Sequence, residues 1–461
     1  MIYRTRLALL AALVAGTAMA QDVAFSTTSI AQAWTTKTPG FSDTTQVPLT
    51  EFVGVDATKL GGKEALSFHM YGWGMADLGD QSYIGGKHTG DLTYGYLQYD
   101  FKQANAQIKA GRIIVNQGLG PMALDGVEAR TDLRYGFMVS AFAGTPVVFK
   151  NYSNNNQYFV AYQQDISFGG RFAWRTAKLG EIGVSYLQDG SHPAAGLTVP
   201  QPVDYTRKQL AADVKLDPCA FLDVAGRTVL NVASDQITVP GTDPSRIAEH
   251  DYKATAKVNE KISITGTYVE RNFFSYYAGS TLPSLFNQDE QGTFKATGAS
   301  LVWAALANLQ IVGDVRRSER TSYGDATRAG GEARYTFTNA HVVAGAAYHQ
   351  VNADDVLPVN AQFAAYSLSH SEERVWVMAD RGAYSASLDM IRLHYDDADA
   401  NPNLHGQSIE SAIVGSLGYK AKDNLRLSAD LSVEDNALTK SQVMALLRVQ
   451  YTFGLAAKGG K

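Results

Sequence analysis

From Glu64 to the carboxyl end the chain repeats one pattern, segments of about ten residues in which apolar and polar side chains alternate between turn residues. In the clearest, Leu425, Leu427, Ala429, Leu431 and Val433 fall on one face and Arg426, Ser428, Asp430, Ser432 and Glu434 on the other. A period of two sends successive side chains to opposite faces of a strand, and no helix produces it. Leu210, Ala212, Val214 and Leu216 against Gln209, Asp213 and Lys215 repeat the pattern, as do Tyr252, Ala254, Ala256 and Val258 against Lys253, Thr255 and Lys257. The last segment sets Val443, Ala445, Leu447, Val449, Tyr451 and Phe453 opposite Gln442, Arg448, Gln450 and Thr452.

Tracing the alternation predicts strands near 64–75, 90–101, 105–115, 134–143, 156–165, 169–178, 180–188, 206–216, 219–230, 250–258, 261–272, 293–304, 307–317, 328–337, 340–350, 372–380, 383–395, 408–419, 424–434 and 441–453. That is about 20 strands, with a range of 18–22.

Strands with two faces bury their apolar side either in a soluble sandwich or against lipid. Here many apolar faces are built from Ala, Gly and Val, which suffice against acyl chains and pack a sandwich core poorly. In hydrocarbon every strand has to pair on both edges, so the sheet closes. The connections agree: short turns near 102–105, 217–218, 259–260, 305–306, 338–339, 381–382 and 420–423 alternate with long polar links at 76–89, 116–133, 189–205, 231–249, 273–292, 318–327, 351–371 and 396–407. Short periplasmic turns and long outer loops characterise outer-membrane barrels. The expected fold is therefore all-β, a transmembrane antiparallel β-barrel over 64–453, followed by a tail at 454–461. Tyr94, Tyr96, Tyr268, Tyr335, Phe337, Tyr348, Tyr451 and Phe453 are expected on its lipid face as an aromatic girdle. The link 144–155 is long, yet this strand count places it among the periplasmic turns.

Ahead of the barrel, Arg4 and Arg6 precede the apolar run Leu7–Val14, and Ala18-Met19-Ala20 has the small-x-small form of a cleavage site. This predicts a signal peptide at 1–20, removed after Ala20, and a periplasmic segment at 21–63. The address implied is the outer membrane of a Gram-negative-type envelope. Loss of Arg4 and Arg6 would deepen the net charge from −5 to about −7, which disfavours a nucleic-acid partner. The lone Cys219 excludes a disulfide scaffold, a cysteine-based zinc site and c-type haem attachment. No HExxH, GxSxG or EF-hand loop occurs, so no catalytic residue, metal or cofactor is expected. Ser387 and His394, on one strand, are the pair a hydrolase could use.

The segment Gln46–Gly62 running into Leu66–Leu78 resembles the lead-in and first strand of exported porin-like barrels. Ala110-Gly-Arg-Ile-Ile-Val-Asn-Gln-Gly followed by Leu124-Asp-Gly-Val-Glu-Ala-Arg-Thr does so too, and Leu446–Phe453 is similar to the aromatic-ended closing strand of such proteins, although residues 454–461 follow it. The resemblance implies a channel for passive or weakly selective diffusion of small hydrophilic solutes or ions. It also implies an alternative, a structural barrel around a multihaem cytochrome in an electron conduit. Expected partners are outer-membrane lipid, small solutes and, in some members, further copies of the chain.

A barrel of this width keeps water inside, so the polar phase should line it. On that phase lie Arg175, Lys215, Arg227, Lys253, Lys257, Asp314, Arg316, Glu332, Arg334, Arg374, Arg426, Asp430 and Arg448. Bases outnumber acids among them, which points to a weak preference for anions. The link 116–131, with Gly118, Gly120 and Gly126 beside Asp125, Glu128 and Arg130, is the candidate constriction, since long loops often carry function.

Overall fold

The computed structural model describes residues 22–36, 43–79, 88–147, 166–191, 205–233, 247–272, 293–320, 324–354, 368–396, 398–399, 404, 406–437 and 440–456. The expected signal peptide lies outside these residues, as does the strand predicted at 156–165. No helix among the described residues is long and apolar enough to cross a membrane.

The chain forms one antiparallel sheet closed on itself as a 22-stave barrel. The staves are β1 (Asp22–Thr36), β2 (Pro48–Thr58), β3 (Leu66–Asp77), β4 (His88–Phe101), β5 (Ala106–Gln117), β6 (Gly120–Asp132), β7 (Phe137–Pro146), β8 (Ser167–Thr176), β9 (Gly180–Ser191), β10 (Tyr205–Cys219) and β11 (Leu222–Ala233). The second half comprises β12 (Ile247–Asn259), β13 (Ile262–Asn272), β14 (Thr293–Leu306), β15 (Leu309–Arg320), β16 (Ala326–Phe337), β17 (Val342–Ala353), β18 (His370–Arg381), β19 (Tyr384–Tyr395), β20 (Ile409–Lys422), β21 (Leu425–Asn436) and β22 (Lys440–Ala456). A short segment, Thr44–Gln46, extends β2 along the same partner. Each stave pairs with its neighbours in sequence, and β1 closes the ring against β22 from Asp22↔Ala456 to Thr35↔Val443.

Three differences from the sequence expectation stand out. The expected periplasmic segment 21–63 supplies β1 and β2, which pair with each other from Asp22↔Thr58 to Ala31↔Leu49. Thr-rich and small residues blur their alternation, and pairing rather than periodicity defines them. The expected loop 116–131 is largely β6, joined to β5 by the two-residue turn 118–119. With that extra stave, β7 ends at Pro146 and β8 begins at Ser167 at the barrel end opposite the short turns. Finally, β22 runs on to Ala456, beyond the predicted barrel end at 453.

Residues in register share a face, so the ladder assigns every position to the inside or the outside. The phase carrying Leu97, Val139, Leu301, Val375, Leu388, Leu431 and Leu447 is exposed and apolar, as a lipid-facing wall requires. The opposite phase carries the charges. Ion pairs there reach across an intervening stave, as from Arg328 on β16 to Glu372 on β18 (2.8 Å), which a concave surface permits. Tyr268, Tyr335, Phe337, Tyr348, Tyr451 and Phe453 stand on the outer phase as expected. Tyr94 and Tyr96 do not: they stack inside, Tyr94 on Tyr71 and Tyr96 beside His69. An irregularity in the β3–β4 ladder near Leu92 shifts the face parity there.

Candidate functional site: an inward hairpin above a charged cavity

The β5–β6 hairpin leaves the wall. Among the described residues β5 pairs with β4 only over Ala106–Arg112, and β6 pairs with β7 only over Leu124–Asp132. Beyond that level, from Ile114↔Ala123 to Gln117↔Gly120, the two strands of the hairpin form a ladder only with each other.

The bend sits at a row of glycines in register, Gly111↔Gly126↔Gly144. Gly111 has φ 130°, a conformation that L side chains rarely adopt. A Cβ on the inner face of Gly126 or Gly144 would fall within 2.8 Å or 2.6 Å of the Leu124 methyl that folds over them. Where the strands part, Arg112 fills the opening. Its guanidinium donates to Asp125 (2.8 and 3.0 Å), to Asp91 (3.2 Å) and to the Leu92 carbonyl (3.0 Å), supplying a donor to a strand that has lost its neighbour there.

The free part of the hairpin lies inside the barrel. Ile113, Val115 and Leu124 are almost wholly buried, together with Phe142 of β7 and Leu187 of β9. Leu119 at the tip packs on this cluster and also on Ala211, Val229 and Ala248, which belong to β10, β11 and β12. Burying each large aliphatic side chain is worth about 1.5–3 kcal/mol, so docking rests on apolar contact. The wall is shaped to receive it, being small or apolar at the inner positions Ala211, Val229 and Ala248.

An ionic cluster of the wall packs against the tip from the other side. Arg171 on β8, 8% exposed, binds Asp213 on β10 (2.7 Å through Nη2) and Glu181 on β9 (2.7 Å). Glu181 also binds Arg175 (2.5 Å). Gly118 lies directly against this group, since a Cβ there would meet the Ser185 hydroxyl at 2.8 Å and Arg171 at 2.9 Å. The amide of Gln117, 5% exposed, has no hydrogen-bond partner, and neither does the Ser185 hydroxyl.

Between the hairpin and the wall is a cavity of about 640 Å³. Its basic lining is Arg130, Arg171, Arg175, Arg227 and Lys253, and its acidic lining is Glu128, Glu181, Asp213 and Asp251. Most are paired: Arg227 with Glu249 (2.9 Å), Arg130 with Asp132 (3.3 Å), and Glu128 with Lys109 (3.3 Å). Lys253 is exposed and makes no ion pair among the described residues.

All thirteen pore-lining candidates stand on the inner phase, at several levels. Arg175, Arg227 and Lys253 surround the cavity. Lys215 is in register with Glu181, and Lys257 pairs with Asp223 (2.9 Å). On the far wall Asp314 binds Arg328 (3.0 Å) and His349 (2.8 Å), Arg316 lies over the Phe294 ring, and Arg334 donates to Gln310. Arg374 pairs with Asp389, whereas Glu332, Arg426, Asp430 and Arg448 form no ion pair among the described residues. Of the constriction candidates, Glu128 and Arg130 face inward beneath the hairpin. Asp125 does not: it is on the opposite phase, bound to Arg112 at the bend, because adjacent strand positions alternate faces. Ser387 and His394 likewise point to opposite sides of β19, seven residues apart, and do not meet. Arg171, Glu181, Glu249 and Gln117 were missed as site residues. Their signal is the apolar run Ile113–Val115 between two glycine-bearing stretches, where a simple stave would continue to alternate.

No protein-family model matches the chain, and no curated protein does. Among solved structures, the ferric enterobactin receptor of Pseudomonas aeruginosa superposes with TM-score 0.50 at 9% identity, covering 93% of this chain and 80% of that one. The P pilus usher translocation pore gives TM-score 0.49 at 8% identity, covering 94% and 99%. OccAB4 of Acinetobacter baumannii gives 0.43 at 9%, covering 95% and 99%. In fold, the chain is a closed antiparallel β-barrel similar to that of the ferric enterobactin receptor.

Proposed function

We propose that the protein is an outer-membrane channel for passive, weakly selective diffusion of small hydrophilic solutes, with the β5–β6 hairpin as its constriction. The observation that carries this reading is the tip of that hairpin, Gly118–Leu119, held inside the barrel above a cavity with charged walls. Five basic and four acidic side chains line that cavity, and most are paired with one another or with neighbouring charges, so little net charge is left to select ions by sign. Size and hydrogen bonding then discriminate. The exposed Lys253 ammonium, without an ion-pair partner among the described residues, is the group available to a passing solute. The similar receptor and pore structures support a transport role only through their shared fold.

Planar-bilayer recording tests the reading. Purified protein is expected to give stable single-channel steps, and a variant with residues 114–122 replaced by a short turn is expected to give larger ones. Bilayers that stay sealed despite verified insertion of both proteins would overturn it.

A further inference from the structure

The lipid-facing wall near the short-turn end carries a slot. Three rows in register cross β18 to β22 there. The first reads Arg381, Tyr384, Tyr419, Leu427, Val449, and the second Ala379, Ala386, Leu417, Ala429, Leu447. The third, deeper in the membrane, reads Val377, Leu388, Gly415, Leu431, Ala445. Small residues at Ala379, Ala386 and Ala429 sink below the large ones around them. The resulting groove measures about 460 Å³, near the volume of one phospholipid acyl chain.

Its mouth is polar. Arg381 closes β18 beside the turn 382–383, is exposed, and has no carboxylate partner among the described residues. Beside it Tyr384 and Tyr419 stack with ring centroids 4.9 Å apart and an interplanar angle of 21°. Tyrosines of this kind mark the level of lipid headgroups. Short turns belong to the periplasmic side, so this mouth faces the inner leaflet. A second copy of the chain would need a carboxylate to meet Arg381, whereas a lipid phosphate already lies at that depth.

We propose that this groove is a binding site for one anionic glycerophospholipid of the inner leaflet, with its acyl chain along the alanine slot and its phosphate at Arg381. The site is remote from the lumen and independent of solute passage.

The test uses the full-length protein in nanodiscs containing equal phosphatidylglycerol, phosphatidylethanolamine and phosphatidylcholine, with lipids retained after detergent extraction read by native mass spectrometry. Phosphatidylglycerol is expected to be retained preferentially, and Arg381→Gln to reduce that preference on the order of tenfold without altering channel conductance. Ala386→Trp, which fills the slot, is expected to lower retention of every phospholipid, with heat-modifiable migration on gels verifying the barrel. Arg381→Gln is an exposed change and decides the matter should the tryptophan variant misfold. Equal retention of the three lipids, unchanged preference in Arg381→Gln, or a dimer mass in place of a lipid adduct would each overturn the proposal.

Discussion

The Arg171 guanidinium on β8 reaches over β9 to bind the Asp213 carboxylate on β10, and the backbone of Gly118 is wedged against the pair. The hairpin tip thereby rests on wall staves that lie several positions along the ring from its own. Removing one partner of a buried pair costs up to about 3–5 kcal/mol, and here Arg171 would keep Glu181, so the loss falls toward the low end. Asp213→Ala is therefore expected to free the hairpin tip and give larger, noisier conductance steps. Asp213→Glu should restore much of the wild-type behaviour. Unchanged single-channel traces in Asp213→Ala would show that this cluster does not support the tip.

Apolar docking makes a separate prediction. Leu124 is wholly buried between Ile113, Val115 and Phe142, so Leu124→Ala should destabilise the docked hairpin by about 2–5 kcal/mol through lost transfer energy and a residual cavity. The barrel ladder does not depend on this side chain. Hydrogen exchange should rise at 113–123 while the rest of the sheet stays protected, and uniform protection across the mutant would contradict the assignment.

The glycine row supplies a third. At Gly126 a branched side chain would collide with the Ala143 carbonyl and with Leu124, so Gly126→Val is expected to prevent the inward bend. The anticipated phenotype is a permanently wide pore with normal gel migration. Retention of wild-type conductance would mean the bend tolerates an inner-face side chain.

At the periplasmic rim, Glu64 and Lys102 lie 2.6 Å apart and hold two turns together. The ammonium holds the Glu64 carboxyl below its usual value of 4.5. A carboxyl depressed in the folded state contributes stability above its unfolded pKa and loses it as pH falls through the folded value. Both groups are exposed, so the contribution is small and screened by salt. Glu64→Gln is expected to lower Tm slightly at neutral pH, with the difference closing below about pH 4 and shrinking in high salt. A difference that grows on acidification would reverse the sign of this account.

The period-two alternation made most staves legible, because lipid outside and water inside impose opposite chemistry on neighbouring positions. It failed where one of those solvents is missing. In β5 and β6 the inner face meets protein, so Ile113, Val115 and Leu124 replace the polar residues a wet wall would carry, and the segment looked like a loop around its glycines. In β1 and β2 the Thr and Ser content weakened the contrast between faces. The inner phase was readable residue by residue, as Arg175, Arg227 and Lys253 show. Their partners Glu181 and Glu249 were not, since pairing across staves depends on register and no local spacing encodes it.

The first stave joins the last along fourteen residue pairs. No ring of hydrogen bonds can exist until the ribosome has delivered the final segment, and until then two raw sheet edges must be kept from hydrocarbon and from other chains. Insertion is thus bound to follow synthesis, and a chain that loses Lys440–Ala456 is left as an open ribbon with nothing to seal against.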